Sequence, residues 1–159
     1  GGNSWNREHV WPKSLSWFPS VGNGDKGAGA DLHHIRPEDN RVNSVRNNDK
    51  FGEVNGGSEV LSSKGVKSGC YSGGGYFEPQ DCAKGDTARI LFYLFTRYSQ
   101  ADSYRFTAVA QSLEMLLEWN RLDPVDEWEM ERNDETAKIQ GNRNPFIDHP
   151  EFADIIWGE

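Results

Sequence analysis

Apolar and polar positions follow two different rhythms along this 159-residue chain. In the first third, short apolar stretches are broken by Gly, Asn and Pro, which predicts loops and short strands. Trp5 to Val10 is expected to form a strand that ends near Trp11-Pro12, because Pro12 lacks an N–H and biases Trp11 away from helix. Ser20 to Ala30, carrying Gly22, Gly24, Gly27 and Gly29, is expected to be a flexible loop. Asp31 to Arg36 reads as a second short strand before Pro37, which suits the first turn of a helix or the turn before it. Glu38 to Phe51 reads as a short polar helix ended by Gly52.

Residues 53–85 are turn-rich, with the Gly-dense run Ser72-Gly73-Gly74-Gly75, and are expected to be hairpin and surface loop. Helical spacing dominates from there on. Asp86 can cap a helix running through Arg89 to Phe95, whose apolar density implies burial. Phe106 to Trp119 has apolar residues at 106, 109, 110, 113, 116 and 117, and is expected to be a core helix. Asp126 to Gln140 reads as a charged helix closed by Gly141, with Trp128 and Ile139 as its packing residues. A loop from Gly141 to Phe146 and a short helix from Pro150 to Trp157 complete the prediction. The expectation is one α+β domain over residues 1–159: a core at about 5–52, a hairpin region at 53–85 and a helical region at 86–159.

Composition narrows the class. Low mean hydropathy is offset by 12% aromatic residues, including six Trp, which is not a disordered composition. No apolar run reaches the ~18 residues of a membrane span. The chain opens abruptly at Gly1-Gly2-Asn3-Ser4, and the expectation is a mature or trimmed form lacking an upstream segment. The net charge of −8 argues against generic nucleic-acid binding. Its distribution modifies that: residues 1–50 carry seven Lys/Arg against six Asp/Glu, a net of +1, which leaves −9 to the remainder. Cys70 and Cys82 flank a Gly-rich stretch, and a disulfide between them is favoured over free thiols, which would imply an oxidising compartment.

The candidate chemistry lies in the first fifty residues. Phosphodiester hydrolysis needs a water deprotonated near neutral pH, charge neutralisation at the phosphoryl oxygens and a protonated leaving oxygen. A histidine suits the first task, because its ordinary pKa of about 6.5 lies near working pH. A Mg²⁺-like ion suits the second; it prefers oxygen ligands and keeps several waters. Glu8 and His9 stand side by side, and Glu8 with Asn43 would make a lean ligand set. Adjacent strand residues point to opposite faces, so Glu8 and His9 share a site only where the strand ends, bulges or bends. On the following helix, Asn43, Arg46 and Asn47 fall on one face. Arg46, Arg36, His33 and Asn47 are the phosphate- or substrate-binding candidates, with Asn47 and Asn48 as rivals to Asn43 for the ligand role. For His33 a structural hydrogen bond is an equal alternative. Arg143 could order its Asn-rich loop or touch nucleic acid. Trp5, Trp11 and Trp17 read as core residues before base-stacking ones.

These motifs carry a resemblance. Arg7-Glu8-His9-Val10-Trp11-Pro12, then Asp31-Leu32-His33-His34-Ile35-Arg36-Pro37, then Val42-Asn43-Ser44-Val45-Arg46-Asn47-Asn48 resemble the bacterial endonuclease I family. Lys84-Gly85-Asp86-Thr87-Ala88-Arg89, Asp123-Pro124-Val125, and Gln140-Gly141-Asn142-Arg143-Asn144-Pro145-Phe146-Ile147 extend it over nearly the whole chain, in the expected order. The resemblance implies a ββα-metal (His-Me finger) core with a largely helical C-terminal half. It implies a secreted or periplasmic nuclease, indifferent to sequence, that cleaves DNA and often RNA to 5′-phosphate and 3′-hydroxyl ends. It assigns Glu8 and Asn43 to the metal and His9 to the general base, with Mg²⁺ as cofactor and Mn²⁺ or Ca²⁺ as substitutes. A monomer without membrane or protein partners is expected. The alternatives are another metal-assisted phosphoesterase and a catalytically degenerate nucleic-acid-binding module. A zinc peptidase is disfavoured, because the chain has no His-Glu-x-x-His.

Overall fold

The structure is a computed structural model that describes residues 4–15, 26–98 and 105–158. Its strands and helices fall into two small sheets and a set of packed helices, an α+β arrangement. Strand β1 (Trp5–His9) pairs antiparallel with β2 (Ile35–Asp39) in an unbroken register from Trp5 opposite Asp39 to His9 opposite Ile35. The second strand thus starts later than expected and runs through Pro37. Residues 32–34 form a turn instead. A two-stranded ribbon is all edge, and an edge tolerates proline.

Helix α1 (Asn40–Arg46) packs on this pair. Its start is set by Asp39, whose carboxylate accepts from the N–H groups of Arg41 and Val42 at 3.0 and 3.2 Å. It ends well before Gly52, because Asn47 leaves helical geometry with a positive φ of 50° while its N–H closes the last turn on the Asn43 carbonyl.

The hairpin region is more regular than expected. Strands β3 (Lys50–Phe51), β4 (Ser58–Leu61), β5 (Lys67–Gly73) and β6 (Tyr76–Glu78) form one sheet in the order β3-β6-β5-β4. Gly74 and Gly75, both at positive φ, turn β5 into β6 with Gly73 opposite Tyr76.

Helix α2 (Asp81–Tyr98) begins five residues before Asp86 and is the spine of the core. Phe92 packs against Phe106, Phe146 and Trp157 with ring centroids 5.2–5.7 Å apart. The expected helix over 106–119 is split, although its apolar residues are core as anticipated. Phe51 exchanges backbone hydrogen bonds of 2.8 Å with Val109 and Gln111, which holds that stretch extended. Helix α3 (Leu113–Leu122) therefore starts only after Ser112, whose hydroxyl accepts from the Met115 N–H at 3.1 Å.

Helix α4 (Glu127–Gln140) has the predicted span, capped by Asp126 and closed by left-handed Gly141 (φ 87°). Its expected packing residues are not buried: Trp128 is 53% and Ile139 75% exposed. The helix is anchored by polar groups instead, above all Glu129, which is fully buried on Arg89. Two short helices, α5 (Pro145–Asp148) and α6 (Phe152–Trp157), follow. No helix among the described residues is long and apolar enough to cross a membrane.

Cys70, buried on β5, and Cys82, exposed in the first turn of α2, are free thiols, which corrects the expected disulfide. The Gly-rich stretch is not a slack loop needing a staple, because the β5–β6 ladder already holds it.

Candidate active site

Because β1 stays regular to its last residue, Glu8 and His9 leave it on opposite faces. Glu8 turns toward α1 and lines a cavity of about 400 Å³ between β2, the four-stranded sheet and the first turns of α2 and α4. Asn43, Arg36 and Arg46 line the same cavity. His9 does not; its ring leans on the segment that precedes β2.

The geometry of His9 fixes its protonation pattern. Nε2 lies 2.9 Å from the Gly29 carbonyl oxygen, which can only accept, so Nε2 carries the proton. Nδ1 then holds the lone pair, and among the described residues no group occupies it. Burial lowers the His9 pKa; the Gly29 carbonyl opposes this, and Lys13 and Arg7 reinforce it. The imidazole is therefore neutral at pH 7 and able to take a proton at Nδ1.

Asn43 is oriented just as definitely. Its amide nitrogen donates to Asn6 Oδ1 at 2.6 Å and to the Arg7 carbonyl at 3.4 Å, which leaves Oδ1 as the outward atom. Asn6 in turn donates to Asn40 Oδ1 at 2.8 Å.

Arg46 is buried, 2% exposed, rather than on the helix surface. It donates to Glu8, to the His9 carbonyl at 3.0 Å and to the Val10 carbonyl at 2.8 Å, and its guanidinium lies 4.1 Å over the Phe51 ring. Burial raises the Glu8 pKa, and Arg46 pulls back against that rise.

Arg36 stands opposite Glu8 in the strand register, with its guanidinium 5.2 Å over the Trp128 ring. Its Nη1 is buried without a partner among the described residues. Of the other candidates, Asn47 is the exposed residue that ends α1.

His33 faces away from the cavity. Its Nε2–H donates to the Asn142 carbonyl at 2.8 Å, and its ring packs on Tyr93. Arg143 is held by Asp148 and Asp134 at 2.7 Å each, the loop-ordering role. Trp11 is core and Trp5 exposed; Trp17 lies outside the described residues.

Two groups around the site had no signal in the sequence. One is the Gly29 carbonyl, a backbone atom. The other is Asp31, whose buried carboxylate accepts from Tyr93, Tyr98, Gln140 and the backbone N–H of His33, two residues on. Burial opposes its ionisation, but these four hydrogen bonds outweigh it and hold the pKa below the usual range. Arg132 adds donors from α4 to the carbonyls of Leu32 and Ile35 at 2.8 and 2.6 Å. The approach to β2 is thus fastened to the helical half of the molecule.

Among the described residues, no three His, Cys, Asp or Glu side chains converge on one point. A cation held here would have to be one content with few protein ligands and mostly waters. Glu8 and the amide oxygen of Asn43 offer two hard oxygens on one cavity wall, which is a Mg²⁺-type donor set.

The chain belongs to the endonuclease I family, whose sequence model matches residues 1–151. It is 46% identical over 171 aligned positions to an extracellular ribonuclease of Bacillus subtilis (strain 168), covering 99% of this chain and 56% of that protein. It is 30% identical over 123 positions to a periplasmic deoxyribonuclease of Aeromonas hydrophila, covering 74% and 47%. It is 31% identical over 123 positions to Endonuclease-1 of Buchnera aphidicola subsp. Baizongia pistaciae, covering 74% and 45%. The chain spans about half the length of these relatives.

Proposed function

We propose that this chain is a metal-dependent endonuclease, indifferent to sequence, that hydrolyses the phosphodiester bonds of DNA and RNA outside the cytoplasm. The β1–β2–α1 unit is read as a ββα-metal core. The observation that carries the reading is the His9–Gly29 hydrogen bond, which leaves Nδ1 of a neutral imidazole as a base at the last residue of β1; a phosphodiester lying across the end of that strand would meet His9 from one face and the Glu8–Asn43 wall of the cavity from the other.

In the proposed reaction, His9 Nδ1 takes a proton from water as the water oxygen attacks phosphorus. The bond from phosphorus to the 3′ oxygen breaks, giving a 5′-phosphate and, after protonation, a 3′-hydroxyl. Glu8 and Asn43 Oδ1 would hold the divalent cation, which when bound supplies charge neutralisation at the phosphoryl and leaving oxygens. Arg46 keeps Glu8 in place and partly offsets the cost of burying its charge.

Phosphate contacts carry no sequence information, which suits a nonspecific enzyme. RNA is included because the relatives at 46% and 45% identity are named extracellular ribonucleases, while those named deoxyribonucleases stand near 30%. The same names, extracellular and periplasmic, support a site of action beyond the cytoplasmic membrane.

The test is a plasmid-nicking and RNA-cleavage assay with Mg²⁺, with EDTA, and with EDTA followed by excess Mg²⁺. Cleavage should vanish with EDTA and return with metal. Full cleavage in EDTA would sink the metal requirement, and nucleic-acid binding with no turnover under any divalent ion would favour a degenerate binding module.

A further inference from the structure

His34 takes no part in the chemistry above, yet the fold buries it completely, with its ring 5.4 Å from that of His9. A buried imidazole is costly unless both nitrogens are satisfied, and leucine would fill much the same space. Here both are engaged. Nδ1–H donates to the Ala28 carbonyl at 2.7 Å, and Nε2 accepts the Trp11 N–H at 2.9 Å. That pair of bonds allows one neutral tautomer, and burial pushes the His34 pKa down to about 4, so the ring stays in it.

The two anchor points straddle the His9–Gly29 hydrogen bond. Ala28 immediately precedes Gly29, and Trp11 follows His9 by two residues. Within the segment, Ala30 N–H donates to Gly27 at 3.0 Å and Asp31 N–H to Ala28 at 3.4 Å. These bonds shape the turn but do not reach β1. His34 supplies a cross-link between the turn and the chain just beyond β1.

We propose that His34 is a positioning residue for His9: by tying Ala28 to Trp11 it sets the Gly29 carbonyl against the His9 ring and so fixes which nitrogen of His9 faces the substrate. The proposal rests on the reading of His9 as the base, and its test separates the two.

Three variants are compared. His34→Leu keeps volume and removes both bonds. His34→Asn puts an amide donor near the Nδ1 position, so the Ala28 bond can survive. His34→Gln puts its polar end near the Nε2 position and gives that bond up. Nitrogen-15 spectra of the His9 imidazole, recorded without substrate, report its tautomer directly, while kcat and KM are measured on single-stranded DNA.

The expected result is loss of the single Nε2–H signature in the Leu and Gln variants. It is accompanied by a fall in kcat of about tenfold or more with KM within about twofold, and His34→Asn, which keeps the Ala28 bond but loses the Trp11 bond, should fall between the Gln variant and the parent in both. An unchanged His9 spectrum in the folded Leu or Gln variant would overturn the proposal, and so would Asn and Gln variants that rank the other way. If the Leu variant does not fold, the Asn and Gln pair decides. Full activity of His9→Ala would remove the base reading, while the spectra would still judge His34.

Discussion

Two buried Arg–Glu pairs bridge distant parts of this chain, and they are built differently. Arg89 and Glu129 are both fully buried. Arg89 donates from Nε and Nη2 to the two Glu129 oxygens at 2.7 Å each, and from Nη1 to Asn120 Oδ1 and the Asp123 carbonyl. Even the backbone is moulded around it: a Cβ on Gly85 would meet the Asp123 oxygen at 2.0 Å. Arg46 and Glu8 are incomplete. Arg46 Nε is buried without a partner among the described residues, and the Glu8 carboxylate opens onto a cavity. A saturated pair is a joint between helices α2, α3 and α4. An unsaturated one keeps a carboxylate reachable, as the metal ligand proposed above would have to be. Burial alone does not separate structural from functional charge; the count of unmet hydrogen-bonding capacity does.

The comparison predicts opposite responses to mutation. At the open pair, His9→Ala should lower kcat by about 10²–10⁴-fold with little change in melting temperature, and Glu8→Gln should abolish metal-stimulated cleavage while also lowering the melting temperature, because buried Arg46 loses its counter-charge. A Glu8→Gln enzyme as fast as the parent would remove Glu8 from the site. At the closed pair, Glu129→Ala should leave buried Arg89 with only Asp86, 3.4 Å away, as counter-charge, at a cost of up to about 3–5 kcal/mol, seen as a lower denaturation midpoint. The activity of the molecules that remain folded should be unchanged. A melting curve that did not move would mean that the α2–α4 joint is not held by this pair.

Two pH effects sharpen the contrast. Because burial holds the His9 pKa below 6.5, the acid limb of the rate profile should fall below that value; a limb above 7 would assign it to another group. Asp86 sits at the edge of the closed pair, where burial and the Glu129 charge push its pKa up to about 7 from 3.8. Its folded form binds a proton more tightly than its unfolded form. The stability it lends is complete below pH 3.8 and lost as pH rises through 7. Asp86→Asn should therefore raise the melting temperature at pH 8 relative to the parent, by a larger margin than at pH 5. Equal margins at both pH values would contradict the shift.

What the sequence made legible was local. The strand Trp5–His9 and the span of α4 could be read because a proline, a capping Asp126 and a closing Gly141 act within a few residues of themselves. The Glu8, His9 and Asn43 assignments depended on spacing and on family likeness. Their orientation was not legible, because the atoms that orient them are a carbonyl twenty residues away and the amide of Asn6. Helix 106–119 failed as a single element for a related reason: Phe51 competes for its backbone across more than fifty residues. Trp128 and Ile139 looked like packing residues because an apolar side chain on a helix usually faces inward, and α4 instead packs through Glu129, Asn133 and Thr136.

The fastening of Leu32 and Ile35 by Arg132, and of Asp31 by Gln140, has a consequence for synthesis. Every proposed reacting group lies within the first 43 residues, yet the turn that aims the base is gripped by the last third of the polypeptide. A nascent chain emerging from the ribosome holds the reagents without the frame. On the proposed reading, competence to cut would arrive only after α4 has been made and has docked, nearly a hundred residues behind the turn it grips.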